Sequence, residues 1–343
     1  MIVGPDRPAS QDLPAISVVV IGHNEGDRLA RCLESISAVD YPADRVELTY
    51  VDSNSTDGSC AVAQSAGAAV IRITEGPLSA ARARNLGWRA ARYDLVHFFD
   101  GDTEVDPQWF RKAVARIEDP SVGCVFGHCT ECRPTTSIYM RMCNFDWHVP
   151  AGSCRYCGGI ALFRREPLER LGGFCEQMVA GEEPELCYRL RQVGLRVWCL
   201  DEPMVLHDLD MTRFTQYWRR VVRSGWAYCV VAFLCRTGPE RLWVRENLVN
   251  LFEVGFWVGF PLAVLALRQP RVLILFVALA LLRIAWIMAK TRGRAGSWST
   301  AMLYALHCQF SRIPLLVGQL QGVAYLLSRR PSKASSAGYR PSG

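Results

Sequence analysis

The run Ile16–Ile21 reads ISVVVI, a nearly unbroken β-branched apolar stretch. A strand with one wet face alternates polar and apolar residues. A strand that does not alternate must be covered on both faces, the condition met in a parallel sheet with helices above and below. Val46–Val51, Ala69–Ile73 and Leu95–Phe99 read as three further strands. Segments of helical period lie between them: Arg28–Ala38 with Leu29, Leu33 and Ile36 on one face, then Gly58–Ala66, then Leu78–Arg92. This alternation predicts an α/β fold with a mostly parallel sheet flanked by helices, binding its ligands at the carboxyl ends of the strands.

Those ends are polar. They read His23-Asn24-Glu25, Asp52-Ser53-Asn54 and Asp100-Gly101-Asp102. Alternate residues of an extended segment point the same way. Asp100 and Asp102 can therefore converge on a hard divalent cation that also accepts a diphosphate. Asp and Gly are also common in plain loops at strand ends; the agreement of three ends favours a site.

Further along, Pro107–Glu118 is expected to be a helix capped by Asp106. Val122–Phe126, Ile160–Phe163 and Arg196–Leu200 read as strands. Residues 129–157 are irregular and rich in cysteine. Glu166–Leu171 reads as a short helix ending at Gly172-Gly173, and Pro184–Val193 as a longer one. Glu182 and Glu183 precede Pro184, a favoured first helical residue. A carboxylate there feels the positive helix end, which favours its ionised form and suits a proton acceptor; the alternative is the ordinary acidic bias of a first turn. Gly158-Gly159 leads into a strand expected to approach an acceptor closely, or forms a simple bulge. His207 follows a strand and a Pro203 turn; it reads as a third metal ligand, a diphosphate contact or a satisfied loop histidine.

The 343 residues are unevenly apolar, and 248–327 is by far the most hydrophobic part. The net charge of +6 is modest, and much of the positive charge borders that region: Arg213, Arg219, Arg220, Arg223, Arg292, Arg294, Arg329 and Arg330. That placement suits an anionic membrane surface and argues against nucleic acid as a partner. Leu248–Leu267 and Val272–Ala289 are long enough to span a bilayer, each with one charge, Glu253 and Arg283. The link Arg268-Gln269-Pro270-Arg271 would make them a hairpin, and the flanking charge favours both ends in the cytoplasm. Ala301–Leu327 reads as a third span, a re-entrant helix or an interfacial one. Thr212–Leu234 mixes Arg with Trp and Tyr, as an interfacial or a plain surface helix would.

The expected division is a disordered lead-in at 1–14, which lacks the apolar core of a secretory signal, and a catalytic domain at 15–210. Interfacial helices at 211–247, membrane helices at 248–327 and a disordered tail at 328–343 follow. The 14 cysteines read as mostly buried free thiols in a reducing compartment. The pairs Cys129/Cys132 and Cys154/Cys157 are spaced a little too widely for a zinc ribbon, and buried thiols account for them. No G-x-x-x-x-G-K-[ST] loop occurs, and no G-x-G-x-x-G follows the first strand, which excludes Walker-type ATPases and dinucleotide oxidoreductases.

The segments VVVIGHNEGDRLARCLESI (18–36), VDSNSTDGS (51–59), ARARNLGW (81–88), FFDGDTEVDP (98–107), GGIALFRREPLERLGGF (158–174), GEEPELCYRLRQVG (181–194) and QYWRR (216–220) together resemble an inverting, membrane-associated family-2 glycosyltransferase of GT-A fold. The resemblance implies nucleoside contacts at Glu25 and Asp52, and a nucleotide-holding role for Arg84. It implies a DxD motif at Asp100 and Asp102 that binds Mg²⁺ or Mn²⁺ on the donor diphosphate. Glu182-Glu183 occupies the place of a Glu-Asp pair whose second member is the usual catalytic base. Gln216 and Arg219 resemble the start of the Gln-x-x-Arg-Trp motif of processive members, with Arg220 where those carry Trp. The expected activity moves a sugar from a UDP or GDP sugar to a lipid-linked saccharide or glycolipid acceptor, from the cytoplasmic side of the inner membrane. The alternatives are a polyprenyl-phosphate sugar synthase and a catalytically silent nucleotide-binding scaffold.

Overall fold

The computed structural model describes residues 13–266, 268 and 270–328. The lead-in and tail expected at the two ends fall almost wholly outside these residues. Two compact units divide between Arg213 and Phe214.

The first unit carries the strands β1 (Ile16–Gly22), β2 (Val46–Asp52), β3 (Ala69–Arg72), β4 (Leu95–Asp100), β5 (Thr103–Val105), β6 (Val122–Glu131), β7 (Gly152–Cys154), β8 (Ala161–Arg164) and β9 (Arg196–His207). Its helices are α1 (Asp27–Ser37), α2 (Ser59–Ser65), α3 (Ala80–Ala90), α4 (Trp109–Ile117), α5 (Ile138–Asp146), α6 (Arg165–Leu171) and α7 (Glu182–Gln192). The strands form one sheet in the order β3-β2-β1-β4-β8-β6-β9-β5, with β7 on β9. The first four are parallel. β8 runs antiparallel to both β4 and β6, and β6 and β9 are parallel. In β1, Val18, Val19 and Val20 are wholly buried, as the unbroken run demands. Register sets Gly22 of β1 beside Asp52 of β2, and Ile21 beside Asp100 of β4. The three polar strand ends thus share one edge.

Three local expectations are corrected. The N-cap of α4 is Gln108; Asp106 lies outside the helix, where its carboxylate accepts the Gln108 N–H at 2.9 Å. The helix α7 begins at Glu182 after a left-handed Gly181, so Pro184 is its third residue rather than its first. The last strand does not stop at Leu200 but runs through Pro203 to His207. Pro203 is tolerated because it sits at an irregularity in the β6–β9 register, where a missing N–H breaks no ladder bond. Residues 129–157 include α5 and β7, neither of which their irregular pattern announces.

The second unit is helical: α8 (Phe214–Leu234), α9 (Val244–Val254), a π-helical turn at Gly255–Gly259 leading into α10 (Phe260–Ala266), α11 (Pro270–Ala295), α12 (Trp298–Phe310) and α13 (Arg312–Ser328). Two continuous helices, Val244–Ala266 and Arg271–Ala295, are long and apolar enough to cross a membrane. Their faces are largely exposed, including Leu262, Ile274 and Leu282. Glu253 of α9 and Arg283 of α11 form an ion pair at 2.6 Å, joined by a hydrogen bond from Trp257 Nε1. Paired in this way, neither charge faces the apolar surroundings alone. The apolar segment 301–327 is broken at Ser311 into helices of 13 and 17 residues, each short of the roughly 20 needed for a span. Pro314 fits there because a proline in a first helical turn forfeits no internal bond. α8 and α13 cross at glycine: a side chain at Gly225 or Gly318 would run into the other helix's backbone at Leu315 or Val222.

His97 of β4 lies in the core of the first unit, stacked on Phe99 at 4.1 Å. Its Nε2 accepts from Trp109 Nε1 at 2.7 Å, and its Nδ1 bonds the Phe98 carbonyl at 3.1 Å, which sets the neutral tautomer. Burial pulls its pKa down to about 3. The unfolded chain therefore takes up a proton near pH 6.5 that the folded chain refuses, and stability is lost as pH falls from there toward 3. His97→Gln keeps an acceptor for Trp109 and is expected to flatten this acid limb by roughly 1.4 kcal/mol per pH unit. Denaturation of the full chain at several pH values between 6 and about 4 measures it.

Candidate active site

The turn after β1 is tied to the turn after β2. Asn24 Oδ1 accepts the Thr56 N–H at 2.8 Å, and His23 Nδ1 lies 2.8 Å from the Ser53 carbonyl. Asn24 and Asn54 both adopt left-handed backbone, which asparagine tolerates better than most side chains. Asp52 is fully buried at the end of β2. It accepts from the Ser55 N–H at 2.9 Å and the Tyr50 hydroxyl at 3.3 Å, with Arg72 Nε at 3.4 Å. Glu25 pairs with Arg28 at 2.8 Å. Burial, then the nearby Asp102 charge, push the Glu25 pKa up against the pull of Arg28.

Arg84 of α3 is buried, and its guanidinium bridges two carboxylates. Nη2 donates to Asp100 Oδ1 at 2.9 Å and Nη1 to Glu182 Oε1 at 2.8 Å. This joins the end of β4 to the start of α7. Gly159 (φ 97°) lies against the same guanidinium: a Cβ there would come within 2.9 Å of Arg84 Nη2. Arg84 thus fills the space beside Gly159, whereas a side chain at Gly158 would meet nothing.

Asp102 immediately precedes β5, which pairs with β9 so that Thr103 faces His207. His207 Nε2 lies 3.1 Å from Asp102 Oδ1, and the Asp208 N–H donates to the Asp102 carbonyl at 2.9 Å. His207 is therefore a strand residue and not part of a free loop. Burial pulls its pKa down, but the Asp102 hydrogen bond outweighs that and raises it to about 10. Burial likewise pushes Asp102 up, and the bond to His207 more than offsets it, leaving Asp102 below the usual carboxylate range. Trp147, just after α5, stacks flat on the His207 ring at 5.0 Å. Ligand atoms of Asp100, Asp102 and His207 lie within 4.8 Å of one another. Carboxylate oxygens with one imidazole make a donor set that suits Mn²⁺ or Mg²⁺.

Glu182 and Glu183 take different directions. Glu182 turns to Arg84. Glu183 accepts from the Cys157 N–H at 2.5 Å and from Cys187 Sγ at 3.1 Å. Its pKa is raised well above the usual value by burial, then by the neighbouring Cys157 charge. The expectation that the helix end keeps Glu183 ionised is therefore corrected: loss of hydration outweighs the helix end, which contributes only about a kilocalorie. Gln216 and Arg219 lie on α8, in the second unit. The Cys-x-x-Cys pairs do not converge as ligand sets: Cys157 sits 3.8 Å from Cys187, whereas Cys129 Sγ lies 3.9 Å from His207. All described cysteines are free thiols. Sequence reading missed Trp147, which lies where no periodicity marks a helix. It also missed the buried Asp208, held by Arg31 and Arg133 next to Asp102.

Residues 17–172 match the family described as Glycosyl transferase family 2. This catalytic segment belongs to glycosyl transferase family 2. The chain is a glycosyltransferase of GT-A fold. It is 25% identical over 261 residues to the glycosyltransferase AglE of Haloferax volcanii, covering 72% of this chain and 82% of that one. It is 24% identical over 302 residues to the beta-monoglucosyldiacylglycerol synthase of Synechocystis, covering 74% of this chain and 61% of the synthase. Among solved structures, the mannosyltransferase PcManGT from Pyrobaculum calidifontis, in complex with GDP-Man and Mn²⁺, superposes with a TM-score of 0.61 at 21% identity, covering 93% of this chain and 90% of that one. S. aureus TarS 1–349 in complex with UDP-GlcNAc gives 0.53 at 14% identity, with 92% of each chain covered.

The Arg84 bridge generates a stability prediction for this transferase. Arg84→Met leaves the buried Glu182 and the partly exposed Asp100 without their shared cation and is expected to cost about 3 kcal/mol. Arg84→Met combined with Asp100→Asn and Glu182→Gln should recover much of that loss. Chemical denaturation of the full-length variants reads both.

Proposed function

We propose that this protein transfers one sugar, with inversion, from a UDP or GDP sugar to a lipid-linked saccharide or glycolipid at the cytoplasmic face of the plasma membrane. The observation carrying this reading is the convergence of Asp100, Asp102 and His207 at the carboxyl edge of β4 and β9, with Arg84 linking Asp100 to α7. Two helices of spanning length support the membrane setting, and the lipid product named for the Synechocystis relative supports the acceptor class. The GDP-Man, Mn²⁺ and UDP-GlcNAc named for the structural neighbours support the donor class and the metal.

In this reading Asp52 and Glu25 hold the nucleoside beside the β1 and β2 turns. Asp100, Asp102 and His207 would hold the divalent cation, which neutralises charge on the departing diphosphate when bound. Arg84 keeps Asp100 and Glu182 in fixed relation. The acceptor hydroxyl loses its proton to the carboxylate pair at the start of α7. We assign that role to Glu182, whose carboxylate lies on the Asp100 side, rather than to Glu183, which is turned toward Cys157 and Cys187. Gly158 and Gly159 flank the acceptor position, and Gln216 and Arg219 serve the product.

A donor screen by nucleotide release, run with Mg²⁺ or Mn²⁺ and membrane lipid extract, tests the activity. Turnover only with soluble acceptors would overturn the lipid assignment, and use of bare polyprenyl phosphate would favour the synthase. Asp102→Ala is expected to abolish turnover, and a protein that still complements without Asp102 would be a scaffold. Glu182→Gln should lower kcat by about 10²–10⁴ with donor affinity retained. If Glu183→Gln is the variant with that loss and Glu182→Gln is active, the proton goes to Glu183. Because the cation must displace the His207 proton, its apparent affinity should rise about tenfold per pH unit between pH 6 and about 8. Metal titrations of nucleotide binding at several pH values measure the slope, and His207→Gln should remove it.

A further inference from the structure

Strand pairing fixes where His207 stands but not how its ring is turned. Its backbone is paired on both sides, to Thr103 of β5 and to Glu131 of β6. The torsion that rotates an imidazole about Cβ–Cγ is broad and roughly two-fold. A histidine ligand is commonly held at its second nitrogen by a carboxylate, a carbonyl or a water. At His207 Nδ1 the neighbour is the Cys129 sulfur at 3.9 Å, a weak partner. The 3.1 Å contact from Nε2 to Asp102 also orients the ring, but a cation bound by both groups would replace it. What remains is an aromatic face. Trp147 lies within 10° of parallel to the imidazole, with 5.0 Å between the ring centroids.

Trp147 is itself held by a well-anchored element. It caps the C-terminal end of α5, where its N–H donates to the Cys143 carbonyl at 2.9 Å. Met140, Met142 and Phe145 bury the inner face of that helix. At its N-terminal end the Ser137 hydroxyl accepts the Met140 N–H at 3.0 Å and donates to the Met211 carbonyl at 2.6 Å, beyond the end of β9. Asn144 Oδ1 accepts the Glu131 N–H at 2.9 Å, and Glu131 is the residue of β6 that stands opposite His207. The helix that delivers the indole is therefore tied to the same strands that deliver the imidazole. Such a scaffold fixes the two rings relative to each other, which a mobile loop would not do.

We propose that Trp147 is a positioning residue of the cation site: by stacking on His207 it holds the imidazole in the plane that keeps Nε2 on the Asp102 side, and so raises the affinity of the site for its cation. The inference rests on the reading of Asp100, Asp102 and His207 as that site. Trp147 supplies no ligand atom and acts through His207. Without the indole the imidazole gains rotational freedom, which binding must then remove. Aromatic stacking and the outer partners of metal ligands are each worth about a factor of ten in affinity. A flat ring is what the position requires, so phenylalanine should serve and an aliphatic side chain should not.

The test titrates Mn²⁺ into the full chain purified in detergent, with saturating UDP and again with GDP, and follows the free ion by electron paramagnetic resonance. Trp147→Leu is expected to weaken Mn²⁺ binding about tenfold, and Trp147→Phe to stay within about twofold of the wild type. In the His207→Gln background Trp147→Leu should cost nothing further, because its effect passes through the imidazole. If the leucine variant does not fold, Trp147→Met takes its place in both backgrounds. Wild-type affinity in Trp147→Leu would overturn the inference. So would a loss of the same size with and without His207, which would mark Trp147 as a merely structural residue. Wild-type protein that binds no Mn²⁺ with either nucleotide, or Asp102→Ala that binds it as tightly as wild type, would overturn the cation site itself and this inference with it.

Discussion

One buried guanidinium holds the polar edge of the sheet together. Arg84 reaches from α3 to Asp100 at the end of β4 and to Glu182 at the start of α7, 98 residues away in sequence. A buried cation is tolerable only when its charge is met, and here two carboxylates meet it. Those carboxylates are in turn held apart and oriented by the cation between them. Small residues make the approach possible: Ala81 and Ala83 of α3 are wholly buried, and Gly159 leaves the space the guanidinium fills. The parallel half of the sheet and the mixed half are thereby joined at the place where their polar residues meet.

The other side of that edge depends on strand pairing. β5 is three residues long, and its pairing with β9 sets Asp102 beside His207. Imidazole and carboxylate lie 3.1 Å apart, and both are mostly screened from water. Trp147 covers the imidazole from one face, while Asp208 and its arginine partners hold the chain from behind. The Asp102–His207 contact holds the two side chains in a fixed relation at the end of β9. Glu25 completes the charge arrangement: its carboxylate is pushed up by burial and by Asp102, and steadied by Arg28.

The helical unit follows different rules. Its long helices expose Leu, Ile and Phe over most of their surface, and their polar groups are gathered in pairs. Asn250 donates to Gln319 at 2.8 Å, Gln319 donates to Asn247 at 2.7 Å, and Tyr217 meets His307 at 2.9 Å. Each of these joins two helices, and with the Glu253–Arg283 pair they specify partners that apolar contact alone would leave degenerate. The glycines of α8 and α13 bring two backbones closer than any side chain would allow.

The sequence by itself determined the strand–helix alternation and the parallel half of the sheet, because unbroken apolar runs and helical periods are local properties. It also determined the three polar strand ends and the presence of two helices of spanning length. The tertiary structure alone decided which carboxylate each charged group meets. It turned Glu182 to Arg84 and Glu183 to a thiol cluster, although the two are neighbours on one helix turn. It carried β9 past Pro203 to bring His207 onto Asp102, and it sent the two members of each Cys-x-x-Cys pair to different partners. These outcomes depend on contacts between residues far apart in the chain and on the loss of water around them. Neither spacing nor composition records either effect.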